Sequence, residues 1–77
     1  MDATNDILDV TGFQCPLPVL KTRKRLESLA PGAELTVIAS DPAAAIDMPH
    51  FCTQQGHSLI SQKAEAGKLI FRIRRKP

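Results

Sequence analysis

Apolar residues along the chain follow two spacings, one typical of strands and the other typical of helices. Residues 7–10 form a short apolar segment that ends at Thr11-Gly12, which predicts a strand. Residues 16–30 carry apolar side chains near helical spacing, and Pro31-Gly32 ends this predicted helix. Residues 35–39 are a near-continuous apolar run with β-branched side chains, which is typical of a central strand covered on at least one face.

The second predicted helix has two possible starting points. Asp41-Pro42 predicts Asp41 as its N-cap and proline at its first position. Pro49 does not fit a regular helix interior, so the helix is either kinked or restarts after a single turn with Asp47 as cap. We favour the restart, and Gly56 ends the helix.

Two strands complete the chain, at residues 59–64 and 68–74, and a hairpin turn at Glu65-Ala66-Gly67 joins them. The order β-α-β-α-β-β predicts an α/β (α+β) fold. We expect a two-layer sandwich in which two helices lie on one face of a four-stranded mixed sheet. The first two strands should be parallel with a right-handed crossover, and the last two antiparallel.

The length of the chain limits where its chemistry can lie. With 77 residues, we expect residues 1–77 to form a single domain with a thin core. A deep substrate cleft would consume much of that core, which favours chemistry at an exposed residue. Hydrophobic residues make up 43% of the chain and charged residues 23%, as in folded rather than disordered proteins.

The sequence also predicts a compartment. No segment approaches the ~20 consecutive apolar residues of a membrane span, and residues 1–6 lack the regions of a signal peptide. We therefore expect a cytoplasmic protein without membrane association, in which Cys15 and Cys52 stay free thiols. The net charge of +2 is too small to indicate nucleic-acid binding by itself.

Cys15 is the candidate reactive residue, because it lies at or next to the N-cap of the first predicted helix. The helix dipole favours a thiolate there, which predicts a lowered pKa for Cys15. Pro16 and Pro18 stiffen the turn that holds the sulfur. Free cysteines are most often small buried hydrophobes, so on the residues alone a reactive and a buried Cys15 both stay open. Four basic residues farther along the helix add positive potential: Lys21, Arg23, Lys24 and Arg25.

Two aspartates are expected near Cys15, because the ends of parallel strands meet at one edge of a sheet. Asp41 is most simply a helix cap. Asp9 either orients the loop of Cys15 or caps its own turn.

Cys52, His50 and His57 are the residues that suggest zinc, but their spacing matches no familiar zinc site and a fourth ligand is not evident. We therefore predict no metal site and place Cys52 in the core. A redox pair between Cys52 and Cys15 is a minor alternative.

A longer motif around Cys15, Leu8-Asp9-x-x-Gly12-x-x-Cys15-Pro16-x-Pro18, resembles the N-terminal signature of the TusA/SirA family of sulfur carriers. The likeness continues in one register through four further motifs: Leu29-x-Pro31-Gly32, Asp41-Pro42, Asp47-x-Pro49-x-Phe51-Cys52 and Gly56-His57-x-Leu59. The resemblance implies the same β-α-β-α-β-β sandwich.

The resemblance also implies a function for Cys15, which would accept sulfane sulfur as a persulfide from a cysteine desulfurase or similar donor. Cys15 would then transfer that sulfur to an acceptor protein, with no metal or organic cofactor. We expect a sulfurtransferase-type persulfide carrier rather than a stand-alone multi-turnover enzyme. Leu17 stands where tRNA-linked members carry Glu, which leaves tRNA 2-thiolation, molybdenum cofactor metabolism and other sulfur trafficking open. The residues implied to support Cys15 are Asp9, Gly12, Pro16, Pro18 and Asp41.

The basic residues of the first helix allow two interpretations. We expect Lys21, Arg23, Lys24 and Arg25 to bind acidic protein partners, since charge complementarity speeds association. The alternative is a small RNA-binding or regulatory module that uses the same basic face. The chain has no Trp or Tyr and only 3 Phe, which leaves few side chains for base stacking, so direct nucleic-acid binding is not expected.

Overall fold

The structure is a computed structural model that describes residues 5–77. Its element order is the predicted β-α-β-α-β-β, and the α+β architecture of four strands and two helices is confirmed. The elements are β1 Asn5–Val10, α1 Leu17–Glu27, β2 Glu34–Ala39, α2 Ala44–Gln55, β3 Ser58–Glu65 and β4 Lys68–Arg74.

The four strands form one mixed sheet in the order β1-β2-β4-β3. Strand β1 pairs with β2 in parallel and β3 pairs with β4 antiparallel, as predicted, and β4 also pairs antiparallel with β2. The hairpin turn is Ala66-Gly67, where both residues have positive φ, as the type I′ form of a two-residue hairpin loop requires. Strands β2 and β4 thus lie at the centre, while β1 and β3 form the edges.

The core lies between the helices and one side of the sheet. Every second residue of β2 is buried, which shows the alternation expected of a strand covered on one face. Both helices contribute to this core, α1 through Leu26 and α2 through Met48, Phe51 and Cys52. The contribution of the sheet comes from Val10, Leu35, Val37, Ala39, Phe71 and Ile73.

Helix α1 is shorter than the sequence predicted at its C-terminal end. The helix ends at Glu27, so Ala30 lies beyond it and is exposed. The N–H of Ser28 donates to the Arg25 carbonyl at 3.0 Å, and the Ser28 hydroxyl donates to the same oxygen at 2.7 Å. This satisfies a carbonyl of the last turn, and Pro31 prevents the helix from continuing.

The predicted restart of the second helix is wrong. Helix α2 runs without interruption from Ala44 to Gln55 and contains Pro49, so Asp47 is not a cap. Proline has no N–H to donate to the carbonyl four residues earlier, that of Ala45. The side chain of Gln62 on β3 supplies the missing donor, because its Nε2 lies 3.2 Å from the Ala45 oxygen. The helix therefore tolerates its proline through a contact with the sheet.

Asp41 begins the turn before α2 instead of capping the helix directly. The N-cap residue is Ala43, whose N–H donates to Asp41 Oδ1 at 3.1 Å. Gly56 ends α2 in the left-handed conformation, with φ of 79°, as the sequence predicted.

Candidate functional site

Cys15 is exposed and lies in the loop between β1 and α1. Pro16 occupies the N-cap position and Pro18 the second position of α1, where a proline breaks no helical hydrogen bond. Cys15 therefore directly precedes the N-cap. The N–H of Cys15 donates to Asp41 Oδ2 at 2.6 Å, which ties this loop to the one that follows β2.

The second tie between these loops comes from Gly12, whose N–H donates to the Ser40 hydroxyl at 2.8 Å. Gly12 has φ of 84°, a backbone conformation that residues other than glycine rarely adopt. Because β1 and β2 are parallel, their carboxyl ends bring Gly12, Cys15, Ser40 and Asp41 together. The predicted closeness of Asp41 and Cys15 is confirmed.

Asp9 does not take part in these ties. Its Oδ1 accepts from the N–H of Thr11 at 2.9 Å and from the Thr11 hydroxyl at 2.7 Å. The backbone hydrogen bond from Thr11 holds the pKa of Asp9 below its usual value. Of its two predicted roles, Asp9 therefore performs the turn-capping one.

A cavity of about 340 Å³ opens beside Cys15 between the two helices. Apolar side chains of both helices and several polar side chains line it: Cys15, Pro16, Val19, Leu20, Arg23, Asp47, His50, Phe51, Gln54 and Gln55. The sequence had not singled out Asp47, Gln54 or Gln55 as site residues. Asp47, His50 and Gln54 are spaced by three and four residues, as on one helix face, but the predicted restart had assigned Asp47 to a capping role.

The pKa of Cys15 is raised, so the prediction of a lowered value is wrong. The largest cause is the neighbouring carboxylate of Asp47, which favours the protonated thiol. Some loss of hydration at the sulfur and the negative charges of Asp47 and Asp41 add to it. Two carboxylates thus outweigh the helix N-terminus, whose effect on a neighbouring anion is modest.

The four basic residues of α1 do not form one surface. Arg23 lines the cavity of Cys15, and its Nε lies 3.4 Å from Glu27. Lys21, Lys24 and Arg25 instead line a second concavity on another side of the helix. Arg25 forms a 2.7 Å ion pair with Asp6, which anchors α1 to β1.

Lys21 lies 4.5 Å from the centre of the Phe13 ring, a cation–π contact in the loop that carries Cys15. Of the four basic residues, only Lys21 and Arg23 thus contact the surroundings of Cys15 within the described part of the chain.

Cys52 differs from Cys15 in its accessibility to a reaction partner. It is 2% exposed, and burial raises its pKa to about 11. Its predicted place in the core is confirmed. Both cysteines are free thiols in the structure.

The two histidines lie in different surroundings. His50 lines the cavity of Cys15, whereas His57 Nδ1 accepts the N–H of Lys76 at 3.0 Å. Within residues 5–77, no cluster of three or more His, Cys, Asp and Glu side chains could hold a metal ion. Neither helix in this range is long and apolar enough to cross a membrane.

Comparison with known proteins gives one consistent result. The sequence model of the family described as Sulfurtransferase TusA matches residues 6–75. The sulfur carrier protein TusA of Pseudomonas paraeruginosa strain PA7 is 47% identical over 70 residues, which cover 91% of this chain and 89% of the relative. That of Pseudomonas entomophila is 47% identical over 75 residues, or 97% and 90% of the two chains.

A solved structure supports the fold independently. The crystal structure of a SirA-like protein from Desulfitobacterium hafniense superposes with a TM-score of 0.81. The match covers 94% of this chain and 99% of the other at 20% sequence identity, which is evidence for the fold alone.

Proposed function

The chain belongs to the TusA family of sulfurtransferases, and on this premise we propose that it carries sulfur as a persulfide on Cys15. The observation that carries the proposal is the contrast between its two thiols. Cys15 is exposed beside a cavity and held by Asp41, whereas Cys52 is sealed in the core. Sulfur exchange between proteins requires an accessible sulfur, and Cys15 alone satisfies this condition.

The proposed reaction is a nucleophilic relay. The Cys15 thiolate attacks the outer sulfur of the donor persulfide, and a new S–S bond forms as the S–S bond within the donor breaks. The electron pair leaves with the donor cysteine, which takes up a proton. The second step is the same exchange with an acceptor thiolate, and it returns Cys15 to the thiol. The sulfane sulfur keeps its oxidation state, so neither step needs an oxidant or reductant.

Exposed apolar side chains around Cys15 favour a protein as the exchange partner. Phe13, Leu17 and Leu20 are 38%, 44% and 49% exposed. Leu20 and Pro16 line the cavity of Cys15, and Phe13 and Leu17 lie two residues before and after Cys15 in the chain, so these side chains offer apolar surface that a docked protein would cover. We propose a cysteine desulfurase or another persulfide donor on the donor side and a cysteine-bearing protein on the acceptor side.

Leu17 is a candidate determinant of the downstream pathway. It occupies the first position of α1, two residues after Cys15, and its side chain is exposed. A partner that approaches the sulfur would contact it directly. An apolar side chain here fits an apolar patch on the acceptor, so we propose that Leu17 selects the acceptor among tRNA-thiolation, molybdenum cofactor and other sulfur pathways. Because the relay needs a free thiol, we propose that it operates in the reducing cytosol.

The proposal is tested by loading the protein with a cysteine desulfurase and cysteine, followed by intact mass spectrometry. We expect the parent protein and Cys52→Ala to gain the mass of one sulfur atom, and Cys15→Ser to gain none. Circular dichroism of each variant checks that it is folded. Undiminished loading of Cys15→Ser would show that the sulfur resides elsewhere and would overturn the proposal.

A further inference from the structure

The carboxylates beside Cys15 have no counter-ion within the described residues. Asp47 lines the same cavity as Cys15, and Asp41 accepts the N–H of Cys15 at 2.6 Å. The ion pairs found among residues 5–77 include neither aspartate. Arg23 lines the same cavity but is paired with Glu27, and the remaining titratable group there is His50.

We propose that Asp47 is a positioning residue that acts as a charge gate on Cys15. In the free carrier its carboxylate keeps the proton on the thiol, and a cationic side chain of the docked donor protein releases that proton by pairing with Asp47. The inference rests on the proposed persulfide function and specifies how the donor activates the nucleophile.

The location of Asp47 suits this role. Asp47 lies in the first turn of α2, at the end of the helix that faces the loop of Cys15. Its side chain faces the cavity beside Cys15, so a partner that covers the sulfur also covers Asp47. A covered carboxylate without a counter-ion is costly, and a lysine or arginine of the partner removes that cost.

The gate acts on both states of the carrier. A protonated thiol is a poor nucleophile, so the empty carrier reacts slowly with stray electrophiles. In the loaded carrier, a small thiol that attacks the outer sulfur must expel Cys15 as a thiolate beside two carboxylates. Because a leaving thiol with a higher pKa departs more slowly, the loaded sulfur is also protected. Pairing of Asp47 with a partner cation lifts both restraints.

The partner that fits this surface is a donor protein that presents one cationic side chain among apolar side chains. The negative charges of Asp41 and Asp47 favour a cation, and both Leu20 in the same cavity and Leu17, two residues after Cys15, are exposed apolar side chains. A polyanion such as RNA would meet two carboxylates next to the sulfur, which disfavours it.

The first arm of the test measures the alkylation rate of Cys15 by iodoacetamide against pH, with all variants made in a Cys52→Ala background. Each unit by which a thiol pKa falls raises the thiolate fraction about tenfold and lowers its nucleophilicity about threefold, so the rate near pH 7 rises about threefold. We expect Asp47→Asn to shift the profile to lower pH and to accelerate alkylation about two- to threefold. Asp47→Glu should restore the parent profile. Glu65→Gln, which removes the same charge from the hairpin, should leave it unchanged.

The second arm adds a cysteine desulfurase whose persulfide-forming cysteine is replaced by serine, so that it docks without transferring sulfur. We expect saturating desulfurase to shift the profile of the parent carrier to lower pH and that of Asp47→Asn much less. An unchanged profile in Asp47→Asn, or equal shifts in both proteins on docking, would overturn the gate. Neither result affects the carrier function, which depends separately on the loading of Cys15 and its loss in Cys15→Ser.

Discussion

The contact that permits Pro49 inside α2 gives a quantitative prediction about the helix that positions Asp47 and His50. Gln62 Nε2 donates to the Ala45 carbonyl at 3.2 Å, the carbonyl that Pro49 deprives of its helical partner. Removing this donor with Gln62→Ala should therefore destabilise the parent protein. In a Pro49→Ala background, the N–H of residue 49 can bond to the same carbonyl, so the loss of Gln62 should matter little.

The magnitude follows from the exposure of this hydrogen bond. A typical protein hydrogen bond contributes about 0.5–1.5 kcal/mol, and because Gln62 is exposed we expect about 0.5–1 kcal/mol for Gln62→Ala. A domain this small has an m-value of about 1 kcal/mol per molar urea, so the midpoint should fall by about 0.5–1 M. The change in strand propensity at position 62 is common to both backgrounds and cancels in the double-mutant cycle.

The assay is equilibrium urea unfolding of four proteins: the parent, Gln62→Ala, Pro49→Ala and the double variant. We expect the cost of Gln62→Ala to fall to near zero in the Pro49→Ala background. Equal costs in both backgrounds would refute the reasoning, because the Gln62 side chain would then contribute independently of the proline.

Two further predictions concern stability against pH and partner docking. Burial lowers the pKa of His57, and its Nδ1 accepts a backbone N–H. The contribution of neutral His57 to the free energy of unfolding is therefore fully present above the unfolded pKa of about 6.5 and is lost as pH falls. Urea midpoints at about pH 7.5 and 5.5 should show this loss in the parent and in His50→Gln, whereas in His57→Gln the loss should be smaller; an unchanged slope in His57→Gln would contradict it. Arg23→Glu should slow loading by a protein donor severalfold at low salt, with less effect at high salt, while the matched Lys24→Glu on the other side of α1 should not. Loading by a small persulfide should be unaffected in both, and equal slowing with both donors would place the effect in the chemistry of the thiol.

Most of the fold could be predicted because its signals are local. The apolar run at 35–39, the alternation along 68–74 and the positive φ required of Gly56 each depend only on neighbouring residues. The exception is α2, where Pro49 suggested a break. The contact that permits continuity comes from Gln62, thirteen positions later on another element. Periodicity within a segment contains no information about such a contact.

The site also contains features that could be predicted from the sequence and others that could not. Cys15 and Asp41 could be placed together because parallel strands end at one edge, which is a property of the topology. The pKa of Cys15 was predicted in the wrong direction, because the dipole of its own helix is visible in the sequence whereas Asp47 belongs to the other helix. Electrostatics at a site depend on every element that faces it, and this requires the packed structure.

The most direct test of the account follows the position of the transferred sulfur. The carrier is loaded by a cysteine desulfurase with ³⁵S-labelled cysteine, alkylated to trap the persulfide, digested and separated into peptides. We predict that the label resides on the peptide that contains Cys15, that an acceptor thiol removes it, and that the peptide with Cys52 stays unlabelled. Label on the Cys52 peptide, or label on Cys15 that no acceptor thiol can remove, would contradict the assignment of Cys15 as the sulfur-carrying residue.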